Sequence, residues 1–163
     1  MQNLKLKKIY TVAAVILLLA LYIAIFCFSG EDGERSSELS KRVTDALLNF
    51  YYRITAGDGE YGPVVFVYEA GPLEGIIRKA AHFLEYLCMG LLSYSLVVVW
   101  YGTRWKGCLL VLVQIFFSAG LDEFHQYFVP GRCASFRDVL IDTAGGSVGI
   151  LLILAWVLIK QLK

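Results

Sequence analysis

Four long apolar stretches divide the chain, and each has the length of a membrane-spanning helix. They cover residues 9–28, 79–101, 107–129 and 136–159. A transmembrane helix needs about 20 predominantly apolar residues, because the hydrocarbon core of a bilayer is about 30 Å thick and each residue adds about 1.5 Å. The pattern therefore predicts an all-α membrane protein, with four transmembrane helices in one domain over residues 1–163.

A polar outer segment, residues 29–71, separates the first two spans. Within it, residues 37–54 carry charges on one helical face and apolar side chains on the other, at Leu39, Val43, Leu47 and Phe50. This spacing predicts an amphipathic helix, lying on the outer surface or packed over the bundle. The run Val64 to Tyr68 is typical of a short strand or loop. Pro72 predicts the first turn of a helix that continues to about Tyr101.

Basic residues in the short connecting and terminal segments indicate the orientation. These are Lys5, Lys7, Lys8, Arg104, Lys106, Lys160 and Lys163. Under the positive-inside rule, such short segments stay in the cytoplasm, whereas the long outer segment is weak evidence because long loops cross regardless of charge. We therefore expect both termini to be cytoplasmic.

The composition agrees with a membrane protein and excludes several functions. The chain is 58% hydrophobic and 18% charged, whereas about 25% of the residues of a soluble protein are charged. The net charge is only +1 and no basic arm is present, so a nucleic-acid partner is not expected. The four cysteines form no C-x-x-C pair, so neither a zinc site nor a disulfide framework is predicted. No cofactor is predicted.

The unusual polar residues collect where the second span begins, the third ends and the fourth begins. They are Arg78, Lys79, His82, Glu85, Asp122, Glu123, His125, Gln126, Arg132, Arg137, Asp138 and Asp142. With alternating span directions, all of these positions lie on the same membrane face. A charged group at membrane depth costs about 2.5–3.5 kcal/mol on insertion scales, so it rarely lies there without a partner or a function. The sequence therefore predicts a polar pocket that opens to the outer face.

Helical spacing turns these residues toward the interior of the bundle. Two sets recur at intervals of three or four residues: Asp138, Asp142, Gly145 and Gly149, and the ladder Gln114, Ser118, Asp122 and Gln126. Gly145 and Gly149 form a G-x-x-x-G pair, which predicts close packing within the bundle rather than dimerisation. Ser135 and Asp138 match a capping box that would begin the fourth span.

Several of these residues occur in motifs that resemble the VanZ-like family. The motifs are R-K-x-x-H-x-x-E-Y from Arg78, D-E-x-x-Q from Asp122, P-G-R from Pro130, S-x-x-D from Ser135 and D-x-x-G-x-x-x-G from Asp142. The resemblance implies a bacterial cytoplasmic-membrane protein of the cell envelope. The family's namesake is linked to low-level teicoplanin resistance. No settled reaction comes with the resemblance.

The hypothesis that we favour is recognition of a phosphate-bearing envelope lipid, such as a phosphorylated isoprenoid or a teichoic-type lipid. Two helix amino termini point toward the pocket, and arginine suits forked hydrogen bonding to phosphate. The residues that we expect to bind the ligand are Arg78, Lys79, Gln126, Arg132, Arg137 and Asp142. The opposing interpretation is that the cations only neutralise nearby acids.

The main alternative is a membrane-embedded enzyme that modifies such a lipid, with a histidine as general acid or base. Its candidate catalytic residues are His82, Glu85, Asp122, Glu123, His125 and Asp138. The pairs His82-x-x-Glu85 and Asp122-x-x-His125 also resemble carboxylate–histidine metal sites, but the order is reversed in one pair and no metal is predicted. A small transporter or flippase is less favoured, because no inverted repeat is visible. A role as a partner subunit, docking through the amphipathic helix, is a further alternative.

Overall fold

The computed structural model describes residues 2–56 and 71–162, and these ranges form five α-helices. The helices are α1 (Gln2–Ser29), α2 (Gly33–Ala56), α3 (Gly71–Tyr101), α4 (Trp105–Gln126) and α5 (Phe136–Gln161). Within the described ranges, α1, α3, α4 and α5 are long and apolar enough to cross a membrane. The prediction of an all-α protein with four transmembrane helices is thus confirmed. The strand or loop at Val64 to Tyr68 lies outside the described residues, and the cytoplasmic placement of the termini stays a prediction.

Local hydrogen bonding explains why two helix boundaries differ from the sequence prediction. Helix α2 begins at Gly33 because Asp32 precedes it, and the Asp32 carboxylate accepts a hydrogen bond of 2.8 Å from the backbone N–H of Arg35. Such capping satisfies a free amide of the first turn. Helix α4 ends at Gln126, before residue 129, because short turns replace the helical ladder there. The Val129 N–H, for example, donates to the Gln126 carbonyl at 3.0 Å.

The capping box predicted for α5 is wrong. Ser135 occupies the N-cap position, but its side chain makes no capping hydrogen bond. Its backbone N–H instead donates to the Glu123 carboxylate on α4 at 2.7 Å. The Asp138 carboxylate forms an ion pair with Lys79 on α3. Ser135 and Asp138, the two residues of the expected capping box, therefore form these contacts with other helices.

Helix α2 packs against the bundle with its small polar residues, and this was not expected. Ser36, Ser40 and Thr44 are buried, and α3 is the main neighbour of α2. The predicted apolar face is exposed in the monomer, at Leu39, Val43, Leu47 and Phe50. Small side chains allow close helix contact, whereas the apolar face is left for the bilayer surface or for another protein.

Helices α3 and α5 approach closely along a glycine seam, formed by Gly90 on α3 and Gly145, Gly146 and Gly149 on α5. A Cβ added to Gly145 would collide with the backbone carbonyl of Phe83, and one added to Gly149 would collide with that of Leu87. The G-x-x-x-G pair therefore packs inside the bundle, as predicted. The seam places the first half of α3 beside the first half of α5.

The turn between α4 and α5 is tied to the end of α1. Gly131 has a φ of 72°, a left-handed conformation that glycine adopts without steric cost. The side chain of Arg132 reaches the carboxyl end of α1: Nε donates to the Glu31 carbonyl at 3.0 Å and Nη2 to the Phe28 carbonyl at 2.9 Å. The backbone N–H of Gly33 donates to the Pro130 carbonyl at 3.0 Å. Arg132 thus donates to carbonyls at and just after the end of α1, which have no partner within the helix. Its positive charge is also stabilised by the negative end of the helix dipole.

We predict that Gly145→Ala destabilises the protein, because the added methyl group must push the α3 backbone away. Overpacking of this kind costs about 1–3 kcal/mol. Gly120→Ala is the matched control, since a Cβ at this α4 position meets no atom within 4 Å. Thermal unfolding in detergent should give a lower Tm for Gly145→Ala alone. Equal Tm values for the two variants would contradict the glycine seam.

We also predict that Arg132→Ala lowers the free energy of unfolding by about 2 kcal/mol, because hydrogen bonds from a charged group to the two carbonyls are lost. Arg132→Lys should restore only part of this loss, since an ammonium group does not reproduce the geometry of the guanidinium fork. Chemical unfolding in mixed micelles measures both. Arg137→Ala serves as the control, because Arg137 is exposed on the same membrane face. Wild-type stability in Arg132→Ala would show that the tie is unimportant.

Candidate functional site

A polar cavity of about 160 Å³ lies between α3, α4, α5 and the α4–α5 turn. Eight of the twelve residues selected from the sequence line it: Arg78, Lys79, His82, Glu123, Gln126, Arg132, Asp138 and Asp142. At about 30 Å³ per water molecule, its volume corresponds to about five waters, or to a group the size of a phosphate. The three helix ends thus converge as the sequence indicated.

The other four residues lie elsewhere. Glu85 and Asp122 are beside His82, beneath the lining side chains. His125 stacks on Phe26 of α1, with ring centroids 4.3 Å apart, and does not line the cavity. Arg137 is exposed and also lies outside the lining. The structure therefore separates the two histidines that the enzyme hypothesis had treated as equivalent.

Asp122 is the best-held acid of the site. Its Oδ2 accepts hydrogen bonds from Ser29 Oγ on α1 at 2.9 Å and from Gln126 Nε2 at 3.0 Å. Ser29 is completely buried, and Asp122 and Gln126 are nearly so. These bonds fix the orientation of the carboxylate, which faces His82 across the interior of the bundle.

His82 lies between two acids without bonding closely to either. Its Nδ1 is 3.6 Å from Glu85 Oε2 and 3.9 Å from Asp122 Oδ2. Nδ1 and Glu85 Oε2 are both buried, and neither has a hydrogen-bond partner within the described part of the chain. Of the two histidines, His82 is therefore the one that lines the cavity and has two acids close to its ring.

Asp142 is the least satisfied group of the site. The residue is 1% exposed, and neither carboxylate oxygen has a hydrogen-bond partner among residues 2–56 and 71–162. Burial of an unpaired carboxylate is costly, so Asp142 is the acid of the site that a cationic partner would stabilise most.

The three cations that line the cavity have different surroundings. Lys79 is paired with Asp138. Arg132 uses two nitrogens for the carbonyls of Phe28 in α1 and Glu31 just after it, and burial together with the nearby Arg78 lowers the pKa of its guanidinium. Arg78 has no ion pair or hydrogen bond with the described residues, although it lines the cavity. Arg78 is therefore the cation that is most available to a ligand.

Below Asp122, the polar ladder of α4 is used to hold α1. Gln114 Nε2 donates to the Tyr22 hydroxyl at 2.7 Å, and that hydroxyl lies 2.8 Å from Ser118 Oγ. The residues that the sequence analysis missed are thus on α1, above all Ser29 and Tyr22. Both are polar residues within or at the end of an otherwise apolar span, and this was the available signal.

Comparison with known proteins agrees with the motifs. The sequence model of the VanZ/LLP1 family matches residues 14–159, which is nearly the whole chain. No curated protein matches the chain, and no solved structure matches it. Since the match includes α3, α4, most of α1 and α5, and the residues of the cavity, this multi-pass membrane protein belongs to the VanZ/LLP1 family.

Proposed function

We propose that the protein recognises a phosphate-bearing lipid of the bacterial cell envelope through this cavity, and thereby contributes to tolerance of teicoplanin-type glycopeptides. The cavity opens on the outer face of the cytoplasmic membrane in the predicted orientation. The envelope setting and the glycopeptide connection are consistent with membership of the VanZ/LLP1 family. The ligand class comes from the chemistry of the cavity.

The observation that carries the proposal is the position of Arg78. Arg78 lines the cavity and has no ion pair or hydrogen bond with the described residues. A cation that only balanced acids would lie against one, as Lys79 lies against Asp138. Arginine binds phosphate oxygens through two parallel hydrogen bonds, so a phosphate group suits this position.

A neighbouring apolar groove suits the hydrocarbon part of such a lipid. This groove of about 530 Å³ lies along the outer sides of α4 and α5, between aromatic residues that include Phe117, Phe124 and Phe136. Glu123 lines both the groove and the polar cavity. A lipid is the ligand class that would place a charged headgroup in one and a chain in the other.

The second candidate function is an enzyme that modifies the same lipid, and the position of His82 favours it. His82 lines the cavity with two acids within 4 Å of its Nδ1, an arrangement suited to general acid–base catalysis. His125 has no part in this version, because it lies against Phe26. Release of a product from the bound lipid would distinguish an enzyme from a binding protein.

We predict that both Arg78→Ala and Arg78→Lys reduce binding of a polyprenyl monophosphate by about tenfold, because lysine keeps the charge but loses the fork that binds two oxygens. Binding is measured in nanodiscs with the purified variants. Glycopeptide tolerance is measured in cells at matched membrane expression and should fall in parallel.

Arg137→Ala is the matched control, since it removes an exposed arginine from the same face and outside the cavity. It should bind the lipid normally. The unphosphorylated polyprenol is the ligand control and should bind weakly to every variant. Normal binding by Arg78→Lys would favour simple charge balance over the fork. Equal binding of polyprenol and its phosphate would contradict the proposal.

A further inference from the structure

The floor of the cavity has the donor set of a metal site. His82 on α3, Asp122 on α4 and Asp142 on α5 each present one ligand atom, and these atoms lie within 4.8 Å of one another. We propose that these three residues bind one divalent transition-metal ion, Zn²⁺ or Mn²⁺. Of the two pairs within single helices that the sequence suggested, His82 and Glu85 lie 3.6 Å apart, whereas His125 stacks on Phe26 and lies outside the cluster.

The unpartnered carboxylate of Asp142 is the independent evidence for a cation. Asp142 is 1% exposed, lines the cavity, and has both oxygens without a partner in the described ranges. Buried charges in proteins are paired or coordinate metals. No cationic side chain of the described residues bonds to Asp142, so a bound ion is the partner that fits.

The surrounding hydrogen bonds resemble those that orient metal ligands. Ser29 and Gln126 both donate to Asp122 Oδ2, which fixes the direction of this carboxylate. Outer contacts of this kind position the ligands of metal sites and raise their affinity. His82 Nδ1 has no hydrogen-bond partner among the described residues, so a ring nitrogen remains free to coordinate.

The balance of charge around the cavity also favours a divalent cation. Five carboxylates are gathered there: Glu85, Asp122, Glu123, Asp138 and Asp142. Three permanent cations face them: Arg78, Lys79 and Arg132. With every one of these groups ionised, the acids exceed the cations by two charges, the charge that one divalent ion carries. A phosphate entering the cavity without such an ion would meet an excess of acids.

The donor types narrow the choice of ion. One imidazole nitrogen and two carboxylates suit Zn²⁺ or Mn²⁺, whereas Ca²⁺ prefers oxygen ligands alone and Cu⁺ prefers sulfur. Three protein ligands leave at least one coordination position open. Since His82 and Asp142 line the cavity, water or a phosphate oxygen in the cavity could supply the remaining ligand. The phosphate part of this inference rests on the proposed function, but the metal site itself does not.

The test uses the full chain, purified in detergent with an affinity tag that contains no histidine. The protein is stripped with EDTA, dialysed, and titrated with Zn²⁺, Mn²⁺ or Mg²⁺ in the absence of added lipid. Bound metal is measured by inductively coupled plasma mass spectrometry, and Tm by thermal unfolding. We expect one Zn²⁺ or Mn²⁺ ion per chain and a higher Tm with that metal, with little effect of Mg²⁺.

Asp142→Asn and His82→Gln should each weaken metal binding by about tenfold or more, since even changes beyond the direct ligands have effects of this size. Asp142→Asn should fold at least as well as the metal-free wild type, because it removes a buried charge. Loss of binding in this variant is then separate from loss of folding. His125→Gln is the matched control and should bind metal as the wild type does, because His125 lies outside the cluster.

Two results would overturn the inference: no metal bound to the wild type at micromolar concentrations, or equal binding by wild type and Asp142→Asn. Arg78→Ala separates this site from the proposed function, because it should retain the metal while losing the lipid. Metal binding without phosphate binding would leave the site correct and the proposed ligand wrong. If the protein holds no metal and still binds phosphate after EDTA treatment, the proposed ligand would be correct and the metal site wrong.

Discussion

The close backbone approach of α3 and α5 is the contact on which the rest of the structure depends. Glycines at Gly90, Gly145 and Gly149 let the two helices touch where a single methyl group would collide with a carbonyl. Within a bilayer, lipid chains are as apolar as leucine, so helix association depends on this kind of close packing. The seam sets the first half of α3 against that of α5, and therefore places Lys79 at Asp138 and His82 near Asp142.

Near the cavity end of that seam, not every acidic side chain has a partner among the described residues. Lys79 pairs with Asp138, and Glu123 accepts a backbone N–H from the α4–α5 turn. Asp142 has no such partner within the described chain. An unpaired buried carboxylate is costly, so Asp142 lowers the stability of the bundle unless a cation joins it. In the two proposals above, the metal ion would lie at Asp142 and the phosphate group beside it in the same cavity.

Helix α1 is more than a membrane anchor, although most of its surface faces away from the bundle. Ser29 holds Asp122, and Tyr22 holds the lower part of the α4 ladder. In return, Arg132 binds the carbonyls at the end of α1. Arg132, which the sequence suggested as a phosphate ligand or a counter-ion, thus mainly links the α4–α5 turn to the end of α1. In the proposed function, phosphate binding is therefore assigned to Arg78.

The sequence by itself determined the four spans, the convergence of polar residues on one face and the close packing at Gly145 and Gly149. Each follows from a pattern along the chain. The length of an apolar run identifies a membrane span, and the alternating direction of the spans shows which of their ends lie on the same membrane face. Helical spacing shows which residues lie on the same side of a helix. Only the tertiary structure decided which polar groups became partners, because a distance between helices is not encoded in spacing along one of them. In the tertiary structure, His125 lies away from the cavity and the small polar residues of α2 face the bundle. His82, Asp122 and Asp142, from three helices, lie close together.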